Sequence, residues 1–133
     1  MIENIPSEYL DDIMDALPFE ISFIDENENV RYFNKEGRRE IFHRDKSVIG
    51  RSVQKCHPPK SLPVVNRILY EFRSGKRDVA EFWIDYKGRK IYIRYFAVRS
   101  RKGEYRGCIE VTQDITEIQK ISGERRLLDV SRV

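Results

Sequence analysis

The chain is poor in the residues that most often carry metal and redox chemistry. Among 133 residues it has two histidines, His43 and His57, and two cysteines, Cys56 and Cys108. The cysteines lie far apart and form no CxxC pair, so neither a disulfide framework nor a zinc knuckle is supported. No GxSxG, HExxH or phosphate-cradling glycine loop is present, and the chain is read as a non-enzyme. No apolar run approaches membrane-span length, and the N-terminal MIENIPSEYL lacks a basic-then-apolar signal segment, so the expectation is a cytoplasmic protein with no membrane partner. The net charge of +3 comes from 25 basic and 22 acidic residues mixed along the chain. A nucleic-acid footprint needs basic residues gathered on one face, so none is expected.

What the chain does have is a dense β signal from Val79 to Thr116. Three runs rich in β-branched and aromatic residues are separated by two glycine-containing turns, the pattern of an antiparallel meander. A two-residue loop at Lys87-Gly88 pairs Tyr86 with Arg89, Ile84 with Ile91, Phe82 with Ile93 and Ala80 with Tyr95. Because strand side chains alternate, these partners share one apolar face. The other face carries Glu81 across from Arg94 and Asp85 across from Lys90, with Val79, Trp83, Tyr92, Phe96 and Val98. Both faces call for a cover.

Upstream, Leu10, Ile13, Met14 and Leu17 recur at helical spacing between Ser7, a capping residue, and Pro18. This amphipathic stripe suits the Trp83/Tyr92/Phe96 face, and a dimerising segment is its competing use. Glu20–Asn34 reads as two short strands joined by Asp25–Asn29, whose acidic and Asn residues turn the chain through local hydrogen bonds. Lys35–Ile49 is a broken helical pattern that Gly50 stops. After the Pro58-Pro59 loop, Val65, Ile68, Leu69 and Phe72 define the strongest helix, begun at Ser61 or Pro63 and ended by Gly75. Its stripe is the expected cover for the Phe82/Ile84/Ile91/Ile93 face. Beyond Thr116, Ile118, Ile121 and Leu128 keep a seam-like spacing that fits a short exit helix, weakened by Gly123.

In this order the elements resemble a PAS domain. FIDENENVRYFN resembles that family's first hairpin, SVIGR its following stretch, and HPPKS with ILYEFRSGK its loop and long helix. WIDYKGRKIYIRYFAV and KGEYRGCIEVTQDIT resemble its last three strands, and Asp114-Ile115-Thr116 is similar to the junction where the sheet hands over to an output helix. The resemblance covers about residues 18 to 120. More narrowly, CHPPKS, GKRDVAEFWI and VTQDITEIQK resemble the PAS module that accompanies hemerythrin-like domains in microbial proteins. Two histidines are too few for a di-iron site of its own. The implied fold is α+β, a five-stranded antiparallel sheet with helices across one face and flanking N- and C-terminal helices. The implied organisation is a flanking helix (1–17), the PAS domain (18–116) and an exit segment (117–133).

The resemblance implies a sensory or signalling module with a small-molecule pocket between sheet and long helix. Its expected walls are Phe23, Phe42, Ile49, Val65, Ile68, Leu69, Phe82, Ile84, Ile91, Ile93 and Tyr95, residues that equally suit a filled core. Two registers of the last strand are open. If Cys108 faces Ile93, then Cys108, Glu110 and Thr112 point inward, and a buried Glu110 needs a partner. A shift of one residue turns Glu110 out to water. Cys56 and His57 invite a metal or haem reading, against which His57 stands as an ordinary loop residue before the helix. The cysteine motif of flavin photoreceptors is missing, so the cofactor is open, with haem possible and flavin not expected. Transmission is expected through Asp114, Ile115 and Thr116, with output through a homodimer, an effector acting in trans or a longer parent chain. The rival reading is a ligand-free dimerisation scaffold.

Overall fold

The Lys87-Gly88 loop sets the meander. Both residues adopt positive φ, +50° and +77°, which is the backbone of the tight hairpin turn that matches strand twist. In the computed structural model, which describes residues 1–132 and the side chains of residues 1–129, β3 (Val79–Tyr86) and β4 (Arg89–Arg99) pair in the expected register. Asp85 meets Lys90 in an ion pair. Glu81 lies opposite Arg94, but its carboxylate accepts the Tyr92 hydroxyl instead, while the Arg94 guanidinium stacks over the rings of Tyr92 and Phe96.

β5 (Tyr105–Asp114) joins β4 to β1 (Glu20–Asp25), and β2 (Val30–Phe33) closes the other edge, giving the antiparallel order β2-β1-β5-β4-β3. The β4–β5 register places Thr112 opposite Ile93, Glu110 opposite Tyr95 and Cys108 opposite Ala97. This corrects the pairing of Cys108 with Ile93 by an even number of residues, so the inward set of Cys108, Glu110 and Thr112 is unchanged. Gly107 sits at a bulge where β5 turns past β4 with φ +139°, and a Cβ there would lie 2.1 Å from the carbonyl oxygen of Ile24.

The inner face has two separate covers. The long helix α2 (Leu62–Arg73) places Leu69 and Phe72 on Ile24, Ala80 and Cys108. Pro63 occupies its first turn, and Gly75 follows its end with φ +79°. Arg99 of β4 then donates to the carbonyl of Phe72 at 2.7 Å, and Arg73 to that of Glu26 at 2.7 Å, which ties the helix to both margins of the sheet. Ile91 and Ile93, expected beneath this helix, pack instead against Ile41 in the 34–45 segment. That segment is irregular and leads into a 3-10 turn at Lys46–Val48; the N–H groups of Glu40, Ile41 and Phe42 bond to Glu20 of the sheet rather than within a helix.

The N-terminal helix is shorter than expected. A 3-10 turn at Ser7–Tyr9 leads into α1 (Leu10–Asp15), and Ser7 makes no capping bond. Buried Asn34 pins it beside the β1–β2 hairpin: its Nδ2 donates to the carbonyls of Met14 (2.9 Å) and Phe19 (3.1 Å), and its Oδ1 accepts from Ile21 N–H (2.7 Å). Placed there, α1 leaves the expected Trp83 face open, and Trp83 is 63% exposed. The exit helix is likewise replaced by 3-10 turns at Ile118–Lys120 and Leu127–Arg132, with Ile121, Leu127 and Leu128 exposed. Val133 lies outside the described residues.

Gly107→Ala is expected to destabilise the fold by more than about 2 kcal/mol, since it adds backbone strain and a clash with Ile24. Urea unfolding checks this. An unchanged midpoint would show that the bulge tolerates a Cβ.

Candidate functional site

The two central strands carry polar residues toward the interior. Glu20 pairs with Thr112, and Ser22 with Glu110, on the face that is apolar in β3 and β4. Buried polar groups demand partners, and the 34–45 segment supplies them. The Glu20 carboxylate accepts the backbone N–H groups of Glu40 (2.7 Å), Ile41 (2.9 Å) and Phe42 (3.1 Å), and the Nε–H of Arg39 at 3.2 Å. Arg39 also donates to Ser22 Oγ at 3.3 Å and lies over the Phe33 ring. Both ends of the Arg39–Glu20 pair are almost fully buried. Burial alone would raise the Glu20 carboxyl, but the three amides and Arg39 outweigh it and hold it below the usual carboxylate range. Among the described residues, Arg39 Nη2 and Thr112 Oγ1 are buried without a hydrogen-bond partner.

From the same segment Arg44 reaches Glu110, at 3.4 Å. Glu110 faces inward, nearly buried, opposite Tyr95. Burial and the adjacent Glu110 carboxylate push the Tyr95 phenol well above its ordinary value, so the ring enters as a neutral hydroxyl. Burial, with Glu110 second, raises the Cys108 thiol to about 12 and leaves it protonated at neutral pH.

Between α2 and the 34–45 segment lies a groove of about 740 Å³, a size ordinary for small-molecule sites. Phe42, Val65, Ile68, Phe82, Ile93, Tyr95 and Glu110 border it, as expected from the sequence. Cys56 and His57 border it too, along with Arg44, Pro58, Lys60, Ser61 and Val64, which sequence reasoning missed. Leu69 lines a smaller cavity of about 20 Å³ beneath, with Ile24, Val53 and Cys108.

The remaining expected wall residues lie elsewhere. Ile91 and Thr112 are fully buried in the core. Ile84 is on the correct face but sits half-exposed at the sheet margin, away from the groove. Phe23 is out of phase with Ile24 and pairs with Ile109, so strand alternation turns it to the opposite face. Ile49 follows the 3-10 turn and borders a surface groove with Tyr32 and Asp15. His57 Nδ1 lies 3.0 Å from the Val53 carbonyl oxygen. Among the described residues no group of three or more His, Cys, Asp or Glu side chains is placed to hold a metal ion.

At the far end of β5, Asp114 accepts from both the N–H (2.9 Å) and the hydroxyl (2.6 Å) of Thr116. These bonds lower its carboxyl. Lys90 N–H donates to Thr116 Oγ1 and Ile115 N–H to the Lys90 carbonyl, both at 2.9 Å, so the junction is stitched to the start of β4.

The sequence model of the PAS domain family matches residues 10–116. No match was found among curated proteins. Among solved structures, a C-terminal domain from Streptococcus mutans is 32% identical, with a TM-score of 0.81 over 89% of this chain and 91% of that one. A sensory box sensor histidine kinase from Vibrio cholerae (15% identity, TM-score 0.56, covering 82% and 90%) shares the fold. So does the PAS domain of BvgS from Bordetella pertussis (20% identity, TM-score 0.54, covering 85% and 87%). The chain belongs to the PAS domain family. No helix among the described residues is long and apolar enough to cross a membrane.

Glu20→Gln is expected to cost about 3 kcal/mol, because it leaves Arg39 buried without its countercharge. The folded-state pKa of Glu20 lies below its unfolded value, so its contribution is complete above the unfolded pKa. It is lost as pH falls through the folded one, from about pH 4 downward. Denaturation across pH should therefore show wild type and variant converging in acid. Parallel curves would contradict this role.

Proposed function

We propose that the chain is a PAS-type sensory module that binds a small molecule in the groove between the sheet and α2. The observation that carries this reading is the composition of that groove. Apolar walls carry a polar cluster of Glu110, Tyr95 and Arg44, with Lys60 on the same groove, which is how ligand sites combine burial with orientation. Glu110 stands on the same strand as Asp114, so a ligand that moves β5 against β4 acts on the Ile115 and Thr116 bonds to Lys90. A ligand that favours one packing of these strands shifts the population of the segment beyond Thr116. Output passes through a homodimer, or to an effector in trans or in a longer parent chain, a hemerythrin-like domain being the partner suggested by CHPPKS, GKRDVAEFWI and VTQDITEIQK. Solved relatives with the same fold include a chain described as a sensor histidine kinase.

The scaffold reading draws on a different observation, the exposed Trp83 and Val79 beside Tyr92 and Phe96 on the outer face. Large exposed apolar patches mark association surfaces.

Native mass spectrometry of the purified chain, with its ultraviolet–visible spectrum, tests the sensory reading. The expected result is an adduct that denaturation releases. A visible band lost in His57→Ala would identify haem. Bare chain mass with no thermal shift from any added ligand contradicts ligand sensing, and a dimer that Trp83→Ala dissociates would then establish the scaffold.

A further inference from the structure

Resting on the groove reading above, we propose that the ligand is a small carboxylic acid with an aliphatic tail, its head at Lys60 and Arg44 and its tail directed inward beneath α2. Two observations carry this.

The first is the shape and chemistry of the interior. The groove and the smaller cavity share His57, Val65, Ile68 and Tyr95 as walls, so the site narrows inward past these four residues. The inner space, about 20 Å³, is just large enough for one water. Its other walls are Ile24, Val53, Leu69 and Cys108. A bound water needs two or more polar partners, and the Cys108 thiol, raised to about 12 by burial, is a weak one. That end suits the terminus of a hydrocarbon chain and rejects a polar head.

The second is the charge at the mouth. Glu110, the one acid bordering the groove among the described residues, already faces Arg44 at 3.4 Å and lies opposite Tyr95. Arg44 has five N–H donors and commits one of them to Glu110, and its side chain remains partly exposed. Lys60 is exposed at the foot of α2 and has no ion pair among the described residues. The groove therefore carries one uncompensated positive charge at its open end. A cationic head would be repelled by Lys60 and Arg44, which both border the groove. A neutral head would gain no charge-assisted bond. A carboxylate complements both cations while its tail replaces water along Val64, Ile68 and Phe82.

The test titrates the full chain with the neutral fluorescent dye phenylnaphthylamine and displaces it with dodecanoic acid, dodecanol and dodecylamine, which share one tail length. At neutral pH the acid should displace the dye at a concentration about ten-fold below the alcohol, the ratio expected for one charge-assisted bond, with the amine weakest. Lys60→Gln, confirmed folded by circular dichroism, should bring the acid to the alcohol's level. If alcohol or amine competes as well as the acid while the dye binds, the acid class is overturned and the groove reading stands. If neither the dye nor any of the three ligands binds by fluorescence or calorimetry, both are overturned.

Discussion

The structure depends on one carboxylate. Glu20 opens β1 on the inner face, where a buried charge is costly unless it is fully partnered. Its partners are three successive backbone N–H groups and a guanidinium, all from the 34–45 segment. That satisfies the acid and decides where the segment goes. Chain that would otherwise be a solvated loop is drawn down onto Ile91 and Ile93 and covers them with Ile41. A loop buried in this way needs its backbone donors met by something other than itself, and Glu20 meets three of them.

The site follows from that placement. The sheet's inner face is covered in two pieces, α2 over Ile24, Ala80 and Cys108, and the 34–45 segment over Ile91 and Ile93. The groove is the seam between the two pieces, bordered on the sheet by Phe82, Ile93, Tyr95 and Glu110. Arg44 ends the segment at the seam's polar edge and meets Glu110 there. The seam is thus bordered by one cover held by apolar packing and another held largely by charge-assisted hydrogen bonds. β5 carries Glu110 at this groove and ends at Asp114, which accepts from Thr116 and so holds the chain beyond the strand against the start of β4.

The meander was legible in the sequence because its information is local. Lys87-Gly88 fixes the loop, and a two-residue loop fixes every pair in β3 and β4. The long helix was legible from Val65, Ile68, Leu69 and Phe72, although periodicity does not say which part of a sheet a helix will cover. Half of the groove was legible for the same reason: residues in phase with Ile93 share its face, whereas Phe23, out of phase with Ile24, does not. Arg39, Arg44 and Glu20 escaped notice because nothing local distinguishes a buried charge from a solvated one in a chain this rich in both signs. Their roles appear only when residues far apart in sequence meet, 19 to 22 apart around Glu20 and 66 apart for Arg44 with Glu110. The short N-terminal helix forms only over Leu10–Asp15 and the short exit helix gives way to 3-10 turns, since amphipathic spacing alone does not hold a short helix in water.

The central claim is that Glu20 holds the 34–45 segment against the sheet and so defines the groove. Hydrogen exchange at the amides of Ile41 and Phe42, compared between wild type and Glu20→Gln under conditions where both remain folded, tests it most directly. The account predicts protection at these two amides in wild type and its loss in the variant, while the amides pairing β3 with β4 stay protected. Equal protection at Ile41 and Phe42 in both chains would contradict it.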